Sequence, residues 1–447
     1  MATRIVLIGL SVLFGLSAQA ELSANTKLKW RYLVEPKFEH VESFSEGLAA
    51  VREQAQGPYG YINLKGNEVI ASKYYSVSNF KDGLAWVGTD ATALSGGTSW
   101  GPKIFLIDTK GEVKKTIRPV GERLYPRWEI GSTGEEGMTR VYYHDYGSPG
   151  SYVKAGYLTR DGIVIGYDNW CEAGEFKDGV ARVRLSGLRG CDADYHMINS
   201  DFEWVGDKHH FISNVNDDYA VVGGPRFFGF MHKWGTYLSK LIYDEAQPFH
   251  EGLAQVKEDG RWKYISGPGQ TSFEVDRDYI SLGALGNMSE AMAWWAEGMN
   301  GYGGYEKYIA LDRANRVVFT IKLGDRDGGM PVSSFNGGLA VLQVDPSNCD
   351  EDTSREPHLK RCYAYINTRG EFAYPERYNF AKPFDDGLAI VGTKGKKGLI
   401  YHRDGKFVVP PIFDEIGELV HVGEGNSVAW VKDGEKYGYI VVGYERD

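Results

Sequence analysis

Few side chains in this 447-residue sequence are spaced for catalysis. Gly97-Thr98-Ser99-Trp100-Gly101 matches the Gly-x-Ser-x-Gly pattern of a nucleophile elbow, which requires a strand before the Ser and a helix after it. Ser99 instead sits in a Gly-rich stretch followed by Pro102 and a strand-like run at 104–108, which reads as a chance match. His209-His210 could begin a metal site, but no third ligand follows at suitable spacing and no His-Glu-x-x-His occurs. Asp325-Arg326-Asp327-Gly328 and Asp350-Glu351-Asp352 offer oxygen ligands for Ca²⁺ without the terminal Glu of an EF-hand loop, and they read as structural loops. With 60 acidic residues, paired carboxylates of a propeller-type hydrolase remain a minor alternative that names no residue. No cofactor, metal or catalytic residue is expected.

Recognition by aromatic surface is better supplied. Trp294, Trp295, Tyr302 and Tyr305 frame the Gly-rich stretch WWAEGMNGYGGYEKY at 294–308. Trp128 lies in LYPRWEI, Tyr142 in YYHDY, and Phe227 and Trp234 in PRFFGFMHKWG. Large rings give much contact area at little entropic cost, so these eight residues are the expected binding positions for a protein or a glycan. Trp294 also falls at a strand position of a divergent repeat.

The elements that must position them come from a degenerate repeat. FEHVESFSEGLAAV (38–51) returns as YYSVSNFKDGLAWV (74–87), PFHEGLAQV (248–256), FNGGLAVLQV (335–344) and PFDDGLAIV (383–391). The anchor Gly can be followed through Gly47, Gly83, Gly137, Gly179, Gly252, Gly338, Gly387 and Gly425, and two copies near Asp218 and Glu290 have lost it. Nine steps from 47 to 425 average 42 residues. Each unit holds short segments of two-residue period separated by x-Gly turns such as Lys65-Gly66 and Asp404-Gly405. No segment carries a sustained 3.6-residue apolar stripe. The Phe before each anchor Gly and the Leu, Ala and Val after it read as core. The chain is therefore expected to be all-β, an array of about ten four-stranded repeats. A propeller-like toroid, as one large ring or two smaller ones, is the first expectation, and an open β-solenoid is the alternative.

The pattern Phe-x-Asp/Glu-Gly-Leu-Ala-x-Val, then Trp/Tyr-Gly-Tyr/Phe-Ile-Asp/Asn, then a turn Gly, resembles the WG-repeat (KWG) family of exported bacterial proteins. Tyr59-Gly60-Tyr61-Ile62-Asn63 carries it most clearly, and the namesake Trp-Gly is mostly Tyr-Gly or Lys-Gly here, as at Tyr437-Gly438 and Lys397-Gly398. The resemblance implies a binding scaffold rather than an activity.

Arg4, an apolar run at 5–16 and Ala18-Gln19-Ala20 form a secretory leader, expected to be cleaved after Ala20. Residues 21–37 then read as a lead-in and 38–447 as the array. No Cys follows Ala20 and no later apolar run approaches 18 residues, so no stable membrane anchor is expected. In an exported chain Cys171, Cys191, Cys349 and Cys362 are expected as two disulfides, paired locally because each pair falls within one repeat. The formal charge of −10, or −11 once Arg4 leaves, disfavours nucleic acid and suits a basic partner. These features point to a periplasmic or secreted, non-catalytic protein-binding scaffold, of which an inhibitor or immunity-type protein is one form. A glycan- or peptidoglycan-binding envelope protein is the alternative.

Overall fold

The two-residue periods become β-strands, with one short 3-10 turn at Gly283–Gly286 among the described residues. The computed structural model describes residues 28–89, 103–117, 127–134, 136–144, 153–166, 169–187, 190–267, 271–276, 278–299, 305–322, 329–345, 349 and 361–444. The strands form ten sheets in chain order. Blade 1 is the meander His40–Val41, Leu48–Arg52, Tyr59–Asn63 and Glu68–Tyr74. Blades 2 to 9 follow at 76–117, 127–165, 170–209, 211–232, 245–274, 279–322, 329–367 and 380–413. Blades 5 and 8 have three strands, and blade 10 combines 415–444 with the N-terminal strand β1, Leu28–Phe38.

One ring closes the array. The strand Lys436–Tyr444 pairs antiparallel with β1, from Leu28↔Tyr444 to Phe38↔Tyr437. Hydrophobic clusters fill every junction in turn, including Leu388, Phe413, Ile416 and Ile440 between blades 9 and 10 and Phe44, Val51, Val428 and Tyr439 between blades 10 and 1. The array is therefore a ten-bladed propeller, neither two smaller rings nor a solenoid. The stretch expected as a lead-in is corrected by the same pairing, since 28–37 supplies the closing strand. Fourth strands such as Val113–Ile117 are the most exposed, as the outer edge of splayed blades must be, and the short first strands face the axis. At the ~10 Å face-to-face spacing of packed sheets, ten blades need a perimeter of ~100 Å, so the first strands cannot meet at the axis.

The repeat words act as fasteners between blades. The Tyr of the Gly-Tyr-Ile-Asn segment donates its hydroxyl to a carbonyl at the end of the next blade's first strand: Tyr61 to Ser78 at 2.9 Å, Tyr365 to Lys382 at 2.6 Å and Tyr439 to Glu42 at 2.6 Å. Tyr157 and Tyr264 reach Gly174 and Gly286 in the same way. Burial pushes all five hydroxyls well above the usual phenol range, so they stay neutral donors. The Phe of the next unit packs against that Tyr, as in Tyr61–Phe80 at 5.0 Å and Tyr439–Phe44 at 4.9 Å between ring centres. The Asn or Asp that ends the segment caps the following turn, with Asn63 Oδ1 accepting from the amides of Lys65 and Asn67.

The anchor turn is a two-residue hairpin with both central residues left-handed, as at Glu46 (φ 51°) and Gly47 (φ 79°). Copies that lost the Gly make the same turn, with Asp218 at φ 68° and Ala291 at φ 61°. Successive left-handed residues aim their amides outward as a nest that favours an anion. The acid of the preceding turn fills it: Glu46 accepts from Asp82 and Gly83 at 2.6 and 2.7 Å, and Glu290 from Gly337 and Gly338 at 2.7 Å each. Glu136, Asp217 and Glu251 do likewise.

The Gly of the namesake dipeptide has a different reason. A Cβ on Gly60 would lie 2.7 Å from the Ile70 carbonyl oxygen, and one on Gly438 2.5 Å from that of Val34, because the outer strand crosses directly over it. Gly60→Ala is expected to destabilise the chain by about 1–3 kcal/mol through this overlap, read as a lower denaturant midpoint. Both disulfides form with the local pairing, Cys171–Cys191 and Cys349–Cys362, each with Cα atoms 5.6 Å apart.

Candidate functional site

The meander gives the ring two unlike rims. The anchor turns and the turns into the outer strands lie on one, called here the turn rim. Connections between second and third strands, and crossovers between blades, lie on the other. The second strands of blades 2, 3, 7 and 8 end, and their third strands begin, on this loop rim.

Among the described side chains, the aromatic residues expected to bind do not converge. Trp294 and Trp295 are 0% exposed, which corrects their assignment to a recognition surface. Both belong to the strand Met292–Met299, and alternation sends them into opposite junctions. Trp294 pairs with Ala310, where other blades have the pinning Tyr, and its Nε1 donates to the Ser333 carbonyl at 3.2 Å. It thus replaces the pin from the neighbouring strand. Trp295 donates to the Tyr264 hydroxyl at 3.0 Å. Tyr305 and Tyr142 are half-buried against blade cores. Tyr302 lies outside the described residues, as do Ser99, 325–328 and 350–352, and of Trp128 the structure describes only the backbone, in the strand Arg127–Thr133.

Phe227 and Trp234 are exposed, at 45% and 79%, but on opposite rims of blade 5. The strand Phe228–His232 separates them, so at ~3.4 Å per residue their Cα atoms stand ~20 Å apart. Trp234 meets His232 in a tilted ring contact on the turn rim, with ring centres 4.6 Å apart. Phe227 has company on the loop rim. Phe211 is 41% exposed and meets Phe228 edge-on at 6.0 Å, while the backbone of Ile242, itself 45% exposed, bonds to Phe228. Phe211, Phe227, Phe228 and Ile242 therefore gather at the loop rim of blade 5, three of them exposed. The gathering arises because this blade has an irregular segment, 233–244, where every other blade but blade 8 has a fourth strand.

His209 and His210 part company. His209 Nε2 lies 2.8 Å from the Tyr237 hydroxyl, and burial lowers its pKa, whereas His210 pairs with Asp194. Among the described residues no three His, Cys, Asp or Glu side chains stand close enough to hold a metal ion.

A second feature lies between blades 4 and 5, near the turn rim. A cavity of about 230 Å³ is lined by Phe176, Val180, Ala181, Met197 and Val215, with Glu175, Lys177, Arg182, Ser213 and Asn214 among its polar walls. Its position follows from the repeat: Met197 stands where blades 1, 3, 6, 8 and 10 pin with Tyr, Val215 where most units pack Phe, and Arg182 faces Met197 across the strands. Neither the gathering on blade 5 nor the cavity was named by the sequence pattern, although the Met and Val substitutions are visible as departures from it.

The WG-containing repeat model matches at 26–54, 59–90, 228–262, 363–396 and 400–437, so matches reach from blade 10's closing strand round to blade 10 again. The chain belongs to the WG-repeat family. In WG terms, the Gly is required by the crossing strand and the aromatic before it is a partly exposed strand residue. No curated protein sequence matches the chain. Solved structures similar to it include a eukaryotic initiation factor, with 11% identity, 80% of this chain and 97% of that chain covered and a TM-score of 0.39. BamB from Moraxella catarrhalis gives 10%, 94%, 100% and 0.29, and the V. cholerae biofilm matrix protein Bap1 gives 12%, 93%, 87% and 0.28. Superpositions this loose carry no argument about function.

Proposed function

We propose that this WG-repeat propeller is an exported, non-catalytic scaffold that holds a partner protein against the loop rim of blade 5. The group of Phe211, Phe227, Phe228 and Ile242 carries the reading, because exposed apolar residues with aromatic members gathered at one rim are the composition of an interface centre. The basic, apolar and small-residue leader and the two disulfides support export. The net charge of −10 suits a basic partner, and masking such a partner would make the protein an inhibitor or immunity-type protein. The glycan alternative loses Trp294 and Trp295, and among the described residues its exposed indoles are Trp204 and Trp234, on blades 4 and 5.

The test is affinity capture from periplasmic extract with the wild type and with Phe211→Ser/Phe227→Ser/Ile242→Ser. Yield of any stoichiometric partner is expected to fall at least tenfold in the triple variant, while Trp234→Ala leaves it unchanged. Equal yields from the triple variant and the wild type would remove this group as the site.

A further inference from the structure

We propose that the cavity between blades 4 and 5 is a binding site for a phenol ring. In other junctions the blades fill the equivalent space with rings of their own. In the junction of blades 1 and 2 it holds the Tyr61–Phe80 pair, with the Tyr hydroxyl donating to the Ser78 carbonyl. Between blades 8 and 9 it holds Tyr365 and Phe384, with the hydroxyl on Lys382, and between blades 7 and 8 it holds Trp294 stacked on Phe335 with the indole on Ser333. The junction of blades 9 and 10 has no such pin, but Trp30, Tyr32 and Phe413 meet edge-on there.

Blades 4 and 5 have Met197 and Val215 at these two positions and the cavity where the rings would be. The remaining framework is intact. Ser213 occupies the place of Ser78, and its hydroxyl accepts the Val221 amide at 2.9 Å just as that of Ser78 accepts the Trp86 amide at 3.0 Å. The Ser213 carbonyl thus has the place of the Ser78 carbonyl, which elsewhere takes the Tyr hydroxyl, and Met197 has no hydroxyl to give it. Arg182 adds a feature the filled junctions of blades 1 and 8 lack, since Ala50 and Val341 occupy its position there. Its guanidinium donates to the Ile212 carbonyl at 3.2 Å and lies 5.6 Å from the Tyr195 ring, so it is held at the cavity wall where it can face a guest ring.

Size agrees with this chemistry. An apolar cavity of ~150 Å³ takes up benzene, and this one measures about 230 Å³. Glu175, Lys177 and Asn214 are exposed and form the mouth, so a ring can enter without unfolding a blade. The ring could arrive as a free small phenol or as the Tyr side chain of a protein.

The experiment titrates the whole mature chain with p-cresol, with N-acetyltyrosinamide and, as the hydroxyl-free control, with toluene, followed by calorimetry and thermal unfolding. The same titrations use Met197→Tyr/Val215→Phe, which restores the repeat's own pair. p-Cresol is expected to bind at least fivefold more tightly than toluene and to raise the melting temperature, and the filled variant is expected to melt higher than wild type and to lose the response. Uptake of p-cresol with the amide refused assigns the site to a small molecule, and uptake of both assigns it to the side chain as well. No binding of either phenol, or unchanged binding in the filled variant, overturns the proposal. Should the double variant fail to fold, Met197→Phe serves in its place, and p-cresol affinity undiminished there overturns the proposal equally.

Discussion

Trp294→Ala is expected to destabilise the chain by about 3–5 kcal/mol, the range for deleting a large aromatic from a core. Trp294 is fully buried and stacked on Phe335, with ring centres 5.3 Å apart and 17° between the planes, and Phe319 meets it edge-on at 5.5 Å. Truncation also strips the Ser333 carbonyl of its indole donor inside a closed junction. A loss of this size is a large part of the ~5–15 kcal/mol that holds a typical domain folded. Trp295→Ala acts in the opposite junction, against Tyr264, so the two losses should nearly add. Trp234→Ala provides the contrast. That side chain is 79% exposed, and its loss should change stability by no more than about 0.5 kcal/mol. Denaturant unfolding of the three single variants reads all of this, and equal midpoints for Trp294→Ala and Trp234→Ala would contradict the placement of the tryptophans.

Removal of residues 28–38 is expected to have a still larger effect. The closing strand pairs along the length of Lys436–Tyr444, buries Phe38, and sets Trp30 and Tyr32 edge-on against Phe413, each with ring centres 5.9 Å apart. With roughly 1.5–3 kcal/mol for each large side chain taken fully from water, and less for half-buried ones, the strand contributes on the order of 5–10 kcal/mol. Its loss also leaves the edge of Lys436–Tyr444 unpaired, a template for aggregation. The truncated chain should therefore be unfolded or aggregated at 37 °C, and a synthetic peptide of residues 28–38 supplied in trans should restore the folded far-UV signal. A truncated chain as stable as the full one would mean that the ring does not close through this strand.

The repeat frame was legible because its words are local. Phe44, Gly47 and Leu48-Ala49-Ala50-Val51 serve one hairpin and the two junctions that flank it, so their types survive in most copies. Even copies without Gly could be placed, since Asp218 and Ala291 sit at the right step and adopt the same left-handed turn. What stayed hidden depends on partners in another blade. The acid before the anchor Gly reads as a turn residue, and only its contact with the next turn's amides shows that it fastens blades. Ring closure by 28–38 pairs residues some 400 apart, which no period reports. The Trp294 error has the same origin: indole and Tyr exchanged places across a strand pair, with Ala310 opposite, so a core residue looked like a decorated insertion. In the candidate site Phe227 was legible as aromatic, but Phe211 and Ile242, which share its rim, come from segments on either side of it and were not.

The framework leaves one sharp question about recognition, and blade 5 contains its own control. p-Benzoylphenylalanine placed singly at 227 or at 234 samples the two rims of the same blade, ~20 Å apart, on two exposed aromatic positions. On irradiation in cells, position 227 should give a discrete covalent adduct that shifts the chain to higher mass, and position 234 should give none. An adduct from 234 with none from 227 would contradict docking on the loop rim.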